Sequence, residues 1–194
     1  MLPLPPLTVF DVETTGLDPR RGHRIVEIAG VRIENGIIQE EQAFVSFVNP
    51  ERAIPYEAAL VNKIRDKDVQ GAGTIDIVLP KFLAFATGST LVAHNAVFDM
   101  GFLEVEKECC WGYVDLPECL CTMRLSQAVF PREYRHNLDI LTQRLGIMQT
   151  PGRHRALGDT IATAQALLKM LEIGKIGSLD ELRRKAGLKI ASLK

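Results

Sequence analysis

The sequence predicts an α/β fold with a mixed central sheet and helices on both faces. The first strand-like segments follow one another as a hairpin run, and later ones alternate with helical segments, an order typical of such a sheet. Residues 25–33 are apolar at most positions of both faces, as expected of a strand inside a sheet. The 194-residue chain is 46% hydrophobic and 24% charged, which suits a globular domain with a sizeable core.

The first predicted strands precede any helix. Residues 7–14 (LTVFDVET) form the first strand. Residues 24–48 hold two more strands around a turn at Glu34-Asn35-Gly36, because Asn-Gly tolerates positive φ. Residues 49–55 (NPERAIP) are expected to form a loop out of this hairpin run.

Helical spacing begins after that loop. A short helix is expected at 56–62 and another near 66–70. Residues 74–87 carry apolar side chains at helical spacing, with Pro80 inside the segment as a local conflict that can kink the helix.

The second half of the chain alternates strands and helices. Residues 90–95 (TLVAHN) predict a fourth strand, and residues 120–130 (LCTMRLSQAVF) predict a short strand running into a helix. Residues 97–110 predict a helix between them. Its expected apolar stripe consists of Phe98, Phe102, Val105 and Cys109.

Two further helices follow. Residues 137–146 have Asn137 as an N-cap and Gly146 as a stop signal. Residues 155–173 predict a long helix with one stripe of larger apolar residues and a second stripe of mostly small ones. The small stripe would let that face approach the sheet closely.

The C-terminal region predicts a short helix. Ser178 is a suitable N-cap, and Glu181 stands at the third helical position, where it can complete a capping box. The expected organisation is therefore one domain over residues 7–173, followed by a short C-terminal helix and tail over residues 174–194.

Charge and composition narrow the possible partners. The net charge of −1 provides no overall basic field, so a polyanion would have to bind at a local site. The N-terminal MLPLPPL resembles no signal peptide, and no apolar run approaches the length of a membrane span, which favours a cytoplasmic location and no membrane partner. The C-C and C-x-C spacings of the four cysteines match no standard zinc or redox signature, so reduced thiols are expected.

The first strand carries two acids within an apolar run. Asp11 and Glu13 are two residues apart, so both side chains point to the same face of the strand. Two such carboxylates repel each other, and a divalent cation with oxygen ligands is the simplest group that would bring them together. Ligands of open α/β sheets gather at the carboxyl ends of strands, where Thr14, Thr15 and Gly16 follow.

Two more acids and one histidine stand in comparable positions. Asp99 is in the first turn of a helix that follows a strand, where it could equally serve as a helix-dipole partner. Asp159 heads the small-residue stripe of the long helix, which would bring it near a strand end. His154 is five residues earlier, about 140° around a continuous helix, so it can act with Asp159 only from the preceding loop.

Three motifs in this order resemble a known enzyme family. FDVETTG, HNAVFD and HRALGD are similar to the motifs of histidine-type DEDD exonucleases, above all the DnaQ-like group that includes proofreading epsilon subunits of bacterial DNA polymerase III. The resemblance spans about residues 7–173. It implies a ribonuclease H-like fold and two divalent metal ions, Mg²⁺ or Mn²⁺.

The resemblance also implies roles for the acids and the histidine. Asp11 would bridge both metals, Glu13 and Asp159 would bind the metal of the attacking water, and Asp99 would act directly or through a water. His154 would be the general base, since an imidazole is suited to accept a proton at neutral pH.

A second set of residues would contact the terminal nucleotide of the substrate. The resemblance implies these contacts for Thr14, Thr15, Gly16, Leu17, His94, Asn95 and Phe98. Leu17 would be an apolar wedge beside the base, and Phe98 is equally compatible with a core position. Asn62-Lys63 departs from the family pattern, which often has His-Gly there, so sugar and base preference stay open.

Three functions follow as alternatives. The first is a 3′→5′ exonuclease that removes 5′-mononucleotides from single-stranded or frayed DNA 3′ ends, in proofreading or repair-type trimming. The second has the same chemistry with RNA as the substrate. The third is an exonuclease fold that serves mainly as a docking module, with a polymerase subunit as a partner on another chain.

Overall fold

The computed structural model describes residues 4–110, 114–148 and 155–188. In this part of the chain one six-stranded sheet has the order β3-β2-β1-β5-β6, and β4 also pairs with β2. The strands are β1 (Leu7–Thr14), β2 (Ile25–Glu34), β3 (Ile37–Ile38), β4 (Phe44–Phe47), β5 (Thr90–Ala93) and β6 (Cys119–Cys121).

The sheet is mixed, as predicted, with β1 at the change of direction. β1 pairs antiparallel with β2, from Leu7 opposite Ile33 to Thr14 opposite Ile25, and it pairs parallel with β5 on its other side. β5 pairs parallel with β6. The strand that carries the first two acids is therefore held on both edges by neighbours.

The helices cover both faces of the sheet. They are α1 (Tyr56–Asn62), α2 (Asp66–Val69), α3 (Ile75–Phe85), α4 (Val97–Glu106), α5 (Thr122–Val129), α6 (Leu138–Arg144), α7 (Ala156–Ile173) and α8 (Leu179–Ala186). Short 3₁₀ turns lie at Pro19–Arg21, Glu40–Gln42 and Lys107–Cys110. Among the described residues, no helix is both long enough and apolar enough to pass through a membrane.

The alternation of side chains along β1 separates two hydrophobic clusters. Phe10 and Val12 pack with α3 and α4 on one face. Leu7 and Val9 pack on the other face with α7, α6 and α8. Asp11 and Glu13 share the parity of Leu7 and Val9, so they continue the face that α7 covers.

One predicted helix face, that of α4, differs from the structure, and the predicted face of α7 is confirmed. The α-helix of α4 ends at Glu106 in a 3₁₀ turn, and Val105 and Cys109 are exposed, because only one side of this amphipathic segment meets the sheet. In α7 the small-residue stripe is buried as predicted, with Ala166 in the same cluster as Leu7 and Val9 of β1, whereas Leu168 of the larger stripe lies half-buried. Small side chains permit this close helix–sheet approach.

The predicted C-terminal helix packs on its own domain. Ser178 Oγ accepts a hydrogen bond from Glu181 N at 3.2 Å and so begins α8. Leu182 and Ala186 are buried in the cluster beneath α7, and Gly187 bridges to Leu120 at the β6 edge. α8 therefore covers an edge of the sheet that would otherwise be open. The four cysteines are free thiols, as expected from their spacing.

Candidate active site

Three of the predicted acids meet at one end of β1. Asp11 and Glu13 stand on the face that α7 covers, and Asp159 lies in the first turn of α7. Each of the three half-buried carboxylates offers an oxygen atom, and these oxygens all lie within 4.8 Å of one another. Carboxylate oxygens grouped in this way, from the end of a strand and the first turn of a helix, are suitable ligands for a hard divalent cation.

Asp99 approaches the same strand from the other face. It lies in the first turn of α4, its side chain is buried, and its Oδ1 accepts a hydrogen bond from Val12 N at 3.3 Å. Val12 is the residue between Asp11 and Glu13. Within the described part of the chain, Asp99 does not belong to the group of three carboxylates. It binds the backbone of Val12, between the two residues of β1 that do belong to it.

Burial raises the pKa values of two of these acids, Glu13 and Asp99, and nearby negative charges add to the rise for Glu13. The pKa of Glu13 rises to about 8, chiefly because the carboxyl is buried and then because Asp159, Glu27 and Asp99 lie near it, while Arg155 opposes the rise. Burial likewise raises the pKa of Asp99, against the effect of its hydrogen bond from Val12. Carboxyl groups with pKa values raised by burial and by neighbouring acids are typical of functional sites, including sites that bind a cation.

The first turn of α7 is fixed by a buried ion pair. Glu27 is 1% exposed and lies directly opposite Glu13 in the β1–β2 register. Its two oxygens accept hydrogen bonds from Arg155 Nε at 3.0 Å and Nη2 at 2.6 Å, and from Ala156 N at 3.0 Å. The Arg155 guanidinium also stacks over Phe47, 5.2 Å from the ring centroid. This fork holds the start of α7, and with it Asp159, against β2.

A cleft of about 600 Å³ adjoins the carboxylates. Glu13 belongs both to the acidic group and to the wall of this cleft. The other walls come from the segment after β1, from α1 and from α4. The lining residues are Val12, Glu13, Thr14, Thr15, Gly16, Leu17, Asp18, Arg21, His23, Pro55, Glu57, Ala58, Val61, Asn62 and Phe98.

The predicted nucleotide contacts divide into two groups. Thr14, Thr15, Gly16, Leu17 and Phe98 line the cleft. In the described part of the chain, neither His94 nor Asn95 belongs to this lining: His94 Nδ1 lies 2.9 Å from Thr122 Oγ1, and Asn95 is exposed at the end of β5 with φ of 59°. His154 lies outside the described residues, so its predicted role stays a prediction.

Asn62-Lys63, the departure from the family pattern, borders the cleft. Asn62 is buried, its Nδ2 donates to Thr14 O at 3.3 Å, and its Oδ1 accepts from Ile64 N at 3.0 Å. Lys63 ends α1 with φ of 63°, a left-handed conformation that glycine adopts more easily. Its ammonium group donates to Leu60 O.

Several residues that build the site were not predicted from the sequence. Glu27 and Arg155 are two of them, although a charged residue inside the apolar run RIVEIAGV is a signal for a buried pair. Arg24 and Glu106 form a second buried pair beside the cleft. His23 lines the cleft and packs against Gly16, where a Cβ would be 2.3 Å from its ring. Sequence carries no comparable signal for that contact.

Comparisons with known proteins identify the family of this chain. An exonuclease family model, RNase_T, matches residues 8–167. A DNA polymerase III subunit epsilon-like protein of Rhodobacter capsulatus is 46% identical over 172 residues, which are 87% of this chain and 24% of that protein. A DNA polymerase III subunit epsilon of Rickettsia conorii is 33% identical over 169 residues, 84% of this chain and 72% of that protein. The chain thus spans about a quarter of the first relative.

Solved structures with a similar fold are also exonucleases. Exonuclease X in complex with 5′-overhanging duplex DNA has a TM-score of 0.72 and 28% identity, over 91% of this chain and 96% of that one. The nuclease domain of 3′hExo, a DEDDh family member bound to rAMP, shares the fold with a TM-score of 0.79 at 20% identity, over 95% and 97% of the two chains. The predicted ribonuclease H-like fold and the resemblance to DEDD exonucleases are confirmed. Because the family model matches residues 8–167, most of its length, this chain belongs to the RNase_T family of exonucleases.

Proposed function

We propose that this chain is a 3′→5′ exonuclease that removes 5′-mononucleotides from single-stranded or frayed DNA ends, in proofreading or repair-type trimming. One observation carries the proposal: Glu13 belongs at once to the group of three carboxylates and to the wall of a cleft large enough for a nucleotide. A scissile phosphate next to Glu13 would therefore meet the acidic group while its base lies in the cleft.

The donor set fits divalent cations. Three carboxylates supply oxygen ligands within 4.8 Å of one another, and burial, followed by the nearby acids, raises the pKa of Glu13 while Arg155 lowers it. We assign Asp11, Glu13 and Asp159 as metal ligands, with Asp99 as a fourth acid that acts directly or through water. Two bound Mg²⁺ or Mn²⁺ ions would polarise the phosphate and stabilise charge on the attacking and leaving oxygens.

The chain's own residues would orient the substrate and move the proton. Leu17 is 85% exposed, lines the cleft together with Phe98, and would pack beside the terminal base. Thr14 Oγ1 donates to Gly16 O at 2.6 Å, which shapes the backbone turn that would receive the terminal sugar. His154 would take the proton of the attacking water as general base.

The choice of DNA over RNA is supported by Exonuclease X, which is 28% identical to this chain and was solved in complex with 5′-overhanging duplex DNA. The relatives named epsilon support a polymerase subunit as a further partner. The docking-module alternative predicts binding to such a subunit without hydrolysis.

The test is a nuclease assay with matched DNA and RNA oligonucleotides, each single-stranded or with a mismatched 3′ end, in Mg²⁺ or Mn²⁺. We expect 5′-mononucleotides to be released from DNA. Faster digestion of the RNA set would support the RNA alternative, and no release in either metal would overturn the proposal.

Variants then test the residues. Asp11→Asn should abolish release, and His154→Ala should lower turnover about 10²–10⁴-fold. Asp180→Asn, at an exposed position of α8 that is not in the cleft lining, is the matched control and should leave the rate unchanged.

A further inference from the structure

The cleft has one wall that is neither strand nor α-helix. The segment from Thr15 to Arg24 leaves β1, makes one 3₁₀ turn and returns into β2. Six of its residues line the cleft: Thr15, Gly16, Leu17, Asp18, Arg21 and His23. A wall without sheet hydrogen bonds of its own depends on what holds its two ends.

The two ends are joined to each other at a neck. Thr15 N donates to Arg24 O at 2.8 Å, and Arg24 N donates to Thr15 Oγ1 at 2.9 Å. Thr15 is 1% exposed, so this neck lies inside the protein. The position of Arg24 therefore sets the position of Thr15, and Thr15 begins the wall.

Glu106 holds Arg24 from outside the segment. Its carboxylate accepts hydrogen bonds from Arg24 Nε at 2.9 Å and from Ile25 N at 3.0 Å, and it forms an ion pair with Arg24 Nη2 at 2.8 Å. The Glu106 side chain is 2% exposed and that of Arg24 is 23% exposed, so the pair is largely shielded from water. Charge-assisted hydrogen bonds of this kind fix geometry more firmly than neutral ones.

The same helix face holds the metal-site strand. Asp99 and Glu106 are seven residues apart on α4, two turns of helix, so they share a face. Asp99 accepts from Val12 N in β1, and Glu106 accepts from Ile25 N at the start of β2. One helix therefore contacts the strand before the wall and the strand after it.

We propose that Glu106 is a positioning residue for substrate binding, which acts through Arg24 and Thr15 to hold the Thr15–Arg24 wall of the cleft. This inference rests on the proposed nuclease function. It separates two tasks of α4: its N-terminal end supports the carboxylates, and its C-terminal end supports the nucleotide cleft. Loss of the Glu106 clamp should weaken binding of the 3′ end and leave the chemical step in place.

The first test compares Glu106→Gln with the wild-type chain in steady-state hydrolysis of a single-stranded DNA. We expect KM to rise about 10-fold while kcat stays within about 3-fold, because the lost interaction serves substrate binding rather than the transition state alone. Arg24→Lys keeps the positive charge and the hydrogen bond from Ile25 N to Glu106, but it loses the guanidinium contacts with Glu106. Its rise in KM should be smaller than that of Glu106→Gln.

The control is Glu118→Gln, which removes the same charge from a forked pair with Arg183. That pair is nearly half exposed and lies at α8, away from the cleft lining, so both kinetic constants should stay at wild-type values. Hydrogen–deuterium exchange provides a second measurement. Amides of residues 15–24 should exchange faster in Glu106→Gln and not in Glu118→Gln.

Three results would overturn the inference. The first is an unchanged KM in both Glu106→Gln and Arg24→Lys. The second is a loss of kcat at constant KM, which would show that Glu106 acts through the Asp99 end of α4. The third is unchanged amide exchange in residues 15–24. If the wild-type chain hydrolyses nothing, the proposed function fails, and the exchange measurement alone decides whether the clamp holds the wall.

Discussion

Glu27 lies directly opposite Glu13 across the β1–β2 pair, and its carboxylate binds Arg155 and Ala156 N at the start of α7. Two acids in one cross-strand pair would repel each other. The Arg155 fork neutralises one of them and leaves the other beside Asp11 and Asp159. The face of β1 that carries Asp11 and Glu13 therefore lies next to a charge, that of Glu27, which Arg155 compensates.

Replacing Glu27 with glutamine should destabilise the fold. The change leaves the partly buried Arg155 guanidinium without its anion and weakens the cap on α7, at a cost of about 2–3 kcal/mol in the free energy of unfolding. Urea unfolding followed by circular dichroism measures this. Glu118→Gln, in an exposed pair, should cost under about 1 kcal/mol. Equal costs in the two variants would contradict a special role for the buried pair.

The metal-free protein should lose stability as the pH rises through the neutral range. The pKa of Glu13 in the folded state is about 8, above its ordinary value of 4.5. Between these two values the folded chain holds a proton that the unfolded chain has lost, so the stabilising contribution is complete below about pH 4.5 and declines toward pH 8.

Thermal unfolding between pH 5 and pH 8 in the presence of a chelator tests this. Glu13→Gln should show a weaker decline than the wild-type chain. Added Mn²⁺ should raise the wild-type Tm more at pH 8 than at pH 5, because ligands must be deprotonated to bind. A Tm of Glu13→Gln that falls with pH as steeply as wild type would exclude Glu13 as the source.

Gly16→Ala should disturb the cleft. A Cβ at this position would be 2.3 Å from the His23 ring, so the ring must move away from the wall that both residues line. We expect a rise in KM of about 10-fold with an intact fold. Gly71→Ala is the control, because nothing lies within 4 Å of the added Cβ. A crystal structure of Gly16→Ala with His23 unmoved would contradict this account.

Lys63→Gly should stabilise the protein. Lys63 ends α1 with φ of 63°, where a side chain costs about 1 kcal/mol that glycine avoids. The midpoint of urea unfolding should therefore increase. Lys67→Gly, within α2, is the opposite control and should lose about 1 kcal/mol because its conformation is helical. A loss of stability in Lys63→Gly would mean that the contact of its ammonium group with Leu60 O outweighs the strain.

Much of this architecture could be predicted from local patterns. The alternation in LTVFDVET predicted β1 with its bounds, and the Ser178 cap predicted the start of α8. The meeting of Asp11, Glu13 and Asp159 followed from strand parity and from the small-residue face of α7. These features are local or periodic, so they can be recognised in the amino-acid sequence.

The parts that escaped prediction depend on tertiary contacts. Cys109 has helical spacing with Phe102, yet the sheet meets only one side of α4, and Cys109 is exposed. Glu27 and Arg155 are 128 residues apart, and Arg24 and Glu106 are 82 residues apart. No local sequence pattern indicates which buried acid forms an ion pair with which arginine.

The placement of Asp159 on α7 has a consequence for how the enzyme matures. Asp159 follows Asp11 by 148 residues (159 − 11), so the three-carboxylate group cannot exist until the sheet has closed and the last long helix has docked. Contacts of such long sequence separation are completed late in folding, since the chain between them must be ordered first. A nascent or partly unfolded chain would carry every motif and still lack the assembled acidic group, so any reaction that needs all three carboxylates is a property of the finished domain alone.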